Sequence, residues 1–153
     1  MQHLSELFAR ATEYCQQFAE LLEQEKQALL DQDMASLQAL VDAKTPLIAS
    51  LGATEQAIAS QLLHLGRPAG ASLGDFIQSL NDSTLAAEHA AFLNAAQACQ
   101  DANLRNARLL RHSQHINSSL LDVLRNQGET SLGVYDRQGL ASRARSGRPI
   151  SRA

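Results

Sequence analysis

LSELFARATEYCQQFAELLEQEKQALL, residues 4–30, decides the fold class. Leu4, Phe8, Ala11, Cys15, Phe18, Leu22, Glu25 and Leu29 follow one another at spacings of 4-3-4-3-4-3-4, a heptad stripe. Leu7, Tyr14, Leu21 and Ala28 widen that stripe on one side. An α-helix turns once in 3.6 residues, so all these side chains share one face. A lone surface helix seldom keeps so strict a period. The stretch therefore predicts a helix over 4–30 and a long antiparallel partner beside it.

The partner follows directly. Asp33 is placed to cap a helix, since its carboxylate can accept from free amides of the next turn. That second helix is predicted over 34–65, with Leu37, Val41, Ile48, Leu51, Ile58, Leu62 and Leu65 inward and Lys44 and Glu55 interrupting. Pro46 lacks an amide and crowds the preceding turn, so a kink is expected there, or a restart capped by Thr45. Gly66-Arg67-Pro68-Ala69-Gly70 ends the helix, and a short helical piece is predicted over 73–80. Asn81-Asp82-Ser83 supplies the cap for a third long helix over 84–126, which Gly128 is expected to stop.

The composition agrees. Alanine and leucine dominate, β-branched residues are scarce, aromatics make up 4% and there is no Trp. Alanine and leucine lose little freedom in a helix, whereas β-branched and aromatic residues favour strands. The predicted class is all-α: a long antiparallel three-helix bundle or coiled-coil hairpin with an extended third helix. Residues 1–127 form the helical domain in this reading, and residues 128–153 a flexible, basic C-terminal tail too poor in apolar residues to fold alone.

Patterns of catalysis are missing. The chain has no glycine-rich phosphate loop, no GxSxG, no HExxH, no CxxC and no paired Glu-x-x-His repeat. His112 and His115 are spaced i, i+3 but have no further donors near them in the sequence, and they read as solvent-facing. His64 and His89 read as bundle-edge residues, while Glu20, Glu23 and Glu25 lie on several faces of the first helix. Cys15 and Cys99 both fall on apolar helical positions and read as buried free thiols. No catalytic residue, metal site or cofactor is expected. Asn103 and Asn106 fall on the seam of the third helix, either as interhelical hydrogen bonds that fix register or as polar contacts to a peptide partner.

Charge is unevenly spread. Residues 129–153 carry Arg137, Arg143, Arg145, Arg148 and Arg152 against Glu129 and Asp136, which leaves −6 on the rest of a chain of net −3. Five arginines without interleaved aromatics beside an acidic body do not make a nucleic-acid face. Glu6, Arg10 and Glu13 break the apolar run a signal peptide needs, and no stretch reaches the ~18 apolar residues of a membrane span. A cytoplasmic chain that does not insert in membranes is expected.

Helix lengths point to a binding surface. At about 1.5 Å per residue the first two helices are roughly 40 and 48 Å long and the third roughly 64 Å, so an up-down-up bundle predicts an overhang. Ile116, Leu120, Leu121, Val123 and Leu124 lie on those last turns with nothing left in the chain to cover them, and together with Leu109 and Leu110 they form the candidate protein-binding surface.

Three stretches carry a family resemblance. LLEQEKQALLDQDMASLQALVDAKTPLIASL (21–51) resembles the first helical hairpin of the FlgN-type flagellar export chaperones. CQDANLRNARLLRHSQ (99–114) has the Asn-x-x-Asn-x-x-x-Leu pattern at the family's place, and YDRQG (135–139) precedes a basic stretch ending in RPISRA. The resemblance implies a chaperone of type III flagellar export. Such a protein binds the C-terminal segments of hook–filament junction (hook-associated) proteins, prevents their premature assembly and delivers them to the export gate. It also implies a tyrosine presented near this place to the membrane protein of the gate, so Tyr135, Asp136 and Gly139 are expected to form a short docking element, the alternative being a linker tyrosine with no role. The alternative is a non-catalytic coiled-coil adaptor or homo-oligomer whose third helix pairs with its own copy when cargo is absent.

Overall fold

The computed structural model describes the backbone of residues 1–144 and the side chains of residues 1–125. Four helices follow in order: α1 Gln2–Asp31, α2 Met34–His64, α3 Leu73–Ser79 and α4 Ser83–Ala144. The described residues hold no strand. Met1–Leu110 form one compact unit and Arg111–Ala153 a second, with α4 contributing to both.

The connections are built by local chemistry. Gln32 takes a left-handed conformation (φ 55°) that ends α1, and Asp33 then caps α2 by accepting from the Ser36 amide at 3.0 Å and its hydroxyl at 2.6 Å. Those hydrogen bonds hold the Asp33 carboxyl below its usual range. Gly66 and Gly70 both sit at positive φ in the turn after α2, where a Cβ would be strained. Asp82 caps α4 through the Thr84 and Leu85 amides, each at 3.0 Å.

In the first unit the bundle runs up-down-up. Lys44 of α2 meets Glu25 of α1, while Ile58 and Leu62 join Leu4, Leu7, Phe8 and Ala11, so α1 and α2 are antiparallel. The α1–α4 contacts share one offset. Cys99 donates to the Cys15 carbonyl and Asn106 to the Leu22 carbonyl, both 84 residues apart, so α1 and α4 run parallel in a single heptad phase. The core lies at the end where α3 crosses: Ile77 of α3 and Leu85 of α4 complete the cluster around Phe8.

Of the two alternatives at Pro46 the restart is excluded: α2 continues through it, and the Thr45 hydroxyl bonds back to the Val41 carbonyl instead of capping. Two expectations need correction. α4 does not stop at Gly128 but continues to Ala144. Glycine costs a helix interior only about 1 kcal/mol, and the next proline, which could end it sterically, is Pro149. On α2, Val41 and Ile48 are not inward but 49% and 58% exposed, and Leu65, past the end of the helix, is exposed too, with Leu40 and Thr54 buried instead.

Candidate functional site

The second unit begins as bare helix. Ile116, Leu120, Leu121, Val123 and Leu124 are exposed to between 50% and 61%. Ile116, Leu120 and Val123 follow one another at 4-3 spacing, with Leu124 beside them. One face of residues 113–124 is thus an apolar stripe, flanked by the exposed His112, His115 and Arg125. Of the sequence-predicted surface, Leu110 is exposed as well, whereas Leu109 is half-buried. Tyr135, Asp136 and Gly139 lie beyond residue 125, outside the residues whose side chains are described.

A polar node marks the middle of the first unit. The Glu25 carboxylate accepts from Lys44 Nζ of α2 at 2.5 Å and from Asn106 Nδ2 of α4 at 2.9 Å, and the same amide donates to the Leu22 carbonyl at 2.7 Å. The Glu25 and Lys44 side chains are 16% and 14% exposed, and Asn106 only 3%. Three residues that interrupt three apolar stripes in the sequence meet at one point and satisfy one another. For Asn106 this is the register-fixing arrangement. Asn103 is exposed and lines a cleft of the same unit.

Titratable groups elsewhere serve packing. Burial, with Cys99 beside it, pushes the Cys15 thiol up to about 11, and burial raises Cys99 too, so both stay protonated. His89 packs edge-on against Phe8 at 5.2 Å between ring centroids, and its burial lowers its pKa. Among the described residues no group of three His, Cys, Asp or Glu is arranged to hold a metal, and His112 and His115 are solvent-exposed. No helix there is long and apolar enough to cross a membrane.

What the chain as a whole resembles is shown by comparison. The FlgN protein family's profile matches residues 1–143. The chain belongs to the FlgN family. A crystal structure at 1.48 Å from Pseudomonas aeruginosa, of a protein described as a flagella synthesis protein FlgN, is similar to it. The two chains are 29% identical over 74% of this chain and 90% of that one, with a TM-score of 0.63. No curated protein matches. FlgN proteins are a chaperone-type family of the flagellum, and membership gives this chain a flagellar, export-related role.

Sequence reasoning missed one surface. The spacing of Val41 and Ile48 predicts core positions, yet they line open clefts. The signal was present in α2 itself, where Leu40 lies beside Leu37 and Val41 and competes with them for the core.

Proposed function

We propose that this FlgN-family protein is a cytoplasmic export chaperone that binds the C-terminal segments of hook–filament junction proteins. It keeps them from assembling early and brings them to the export gate. The observation that carries the reading is the half-exposed stripe of Ile116, Leu120, Val123 and Leu124 on a helix that the family profile spans. A cargo tail that is unordered alone folds as an amphipathic helix against Leu109, Leu110, Ile116, Leu120, Leu121, Val123 and Leu124. Covering ~500 Å² of apolar surface at ~25 cal/mol/Å² yields on the order of 12 kcal/mol gross. Ordering and association costs leave micromolar to nanomolar binding, weak enough for hand-over. Tyr135, Asp136 and Gly139 form the element that docks on the membrane protein of the gate.

Titration calorimetry against C-terminal peptides of the two junction proteins tests this. One-to-one binding with a negative heat-capacity change is expected, and Leu120→Asp with Leu124→Asp should weaken it by at least about tenfold. Unchanged affinity in that double variant rules out the stripe. No binding by the wild-type chain, together with a mass that rises with concentration, would hand the function to a self-pairing adaptor.

A further inference from the structure

α3 closes one end of the first unit, where Leu73, Phe76, Ile77 and Leu80 pack over the core. Towards the α1–α2 turn that unit holds no fourth element, and two clefts open between α2 and α4 with α1 as their floor. They measure about 180 and 320 Å³. Their linings repeat. Phe18, Ile48 and Ala96 line the smaller cleft, while Leu29, Leu37 and Ala107 line the larger. Each pair on one helix, Phe18 and Leu29, Leu37 and Ile48, Ala96 and Ala107, is eleven residues apart. Eleven residues are almost three whole turns, a translation of about 16 Å at nearly the same azimuth. The clefts therefore lie in line along one face of the unit, with Lys44 of the polar node between Val41 and Ile48 on the same bank.

We propose that the two clefts form a groove that receives a second helical stretch of the cargo tail, of defined pattern. The occupant carries large apolar side chains at i and i+4 for one cleft and again at i+11 for the other. Small or polar residues between them pass over Lys44 and Glu25. It also carries a lysine or arginine at the end that meets Glu55, whose exposed carboxylate lines the smaller cleft. Charge selects the partner. Residues 1–125 carry −6 of the chain's net −3, so a second copy's bundle brings like charge to the groove and a cationic amphipathic helix brings complementary charge. The assignment of this occupant rests on the cargo reading above, while the groove itself does not.

The test uses the full chain and the same junction-protein peptides. Val41→Asp with Ile48→Asp alters two exposed side chains, so the helical circular dichroism and the melting midpoint should hold. Peptide affinity should fall by about tenfold or more. Glu55→Lys should weaken binding by about threefold at low salt, a difference that high salt removes. Cys99 lines the smaller cleft and is half-buried, so bound peptide should slow its alkylation by iodoacetamide, read as mass on the Cys99 tryptic fragment. Affinity within about twofold in the Val41/Ile48 variant, with Cys99 unprotected, overturns the groove as a cargo site. If Leu120→Asp with Leu124→Asp alone abolishes binding, the cargo reading stands and this one falls. No peptide binding by the wild-type chain overturns both. A concentration-dependent mass that the Val41/Ile48 variant loses, with peptide affinity intact, would show that a second copy occupies the groove instead.

Discussion

The two ends of the first unit are built from the same heptads and reach opposite outcomes. At one end Leu4, Phe8 and Ala11 of α1 face Ile58 and Leu62 of α2 and Leu85 of α4, and α3 lays Ile77 over them, so Phe8 is wholly buried. Towards the other end Glu25 and Leu29 face Leu37, Val41 and Asn106 at the same spacing, but no fourth element of the unit arrives there. There Glu25, Lys44 and Asn106 join the buried Leu22, Ala28 and Leu40 in holding the helices together, and Val41 and Ile48 of α2 stand half open. A heptad stripe specifies which side of a helix is apolar. Whether that side becomes core depends on having enough elements to cover it.

The largest effect expected from this contrast is on stability. Phe8→Ala empties a site with no exposed surface and should cost about 3–5 kcal/mol, whereas Ile48→Ala should change stability by less than about 0.5 kcal/mol. Urea midpoints at constant slope read both. A cost above about 1.5 kcal/mol for Ile48→Ala would mean that the open bank is covered in solution, and the comparison would break.

Which parts were legible follows from the same physics. The 4-3 stripe of residues 4–29 specified α1, Asp33 and Asp82 specified two caps, and the apolar turns of Ile116 to Leu124 specified an uncovered surface. These are local signals, readable from spacing and side-chain chemistry alone. Glu25, Lys44 and Asn106 each stood out as a break in a stripe, but their meeting depends on the antiparallel register of α1 with α2 and the parallel register of α1 with α4. Single-chain spacing does not encode that. Val41 and Ile48 were misplaced because periodicity counts faces, not neighbours. Gly128 does not stop α4 because a glycine lowers helix stability without removing an amide or adding a clash.

The second effect, of middle size, concerns the polar node. Lys44→Ala leaves the Glu25 carboxylate half-buried with only Asn106 as donor, and should cost about 2–4 kcal/mol, less than a fully buried pair would because both side chains keep some exposure. Asn106→Ala should cost about 1–2 kcal/mol, because the Leu22 carbonyl keeps its helical partner while Glu25 keeps Lys44. A double-mutant cycle between the two should show coupling of at least about 0.5 kcal/mol, since both donors serve one carboxylate. Additive costs would mean that the node is two separate contacts, and the lower part of the unit would owe its register to packing alone.

The smallest effect belongs to the closed end and distinguishes it by pH. His89 is buried against Phe8, and burial alone lowers its pKa below the ordinary value near 6.5. Above that value the ring is neutral in both folded and unfolded chains, and the packing is fully available. As pH falls through about 6.5 the unfolded chain takes up a proton that the folded one refuses, so stability drops until the folded value is reached. The slope in that window should not exceed one proton, about 1.4 kcal/mol per pH unit. Urea midpoints at several pH values between about 5 and 8 should show it in the wild type and not in His89→Phe, which keeps an aromatic ring beside Phe8. The exposed His112 and His115 remain in both proteins, so the difference isolates the buried ring. An identical slope in the variant would place the acid sensitivity outside the core, and the closed end would then be closed to water but not to protons.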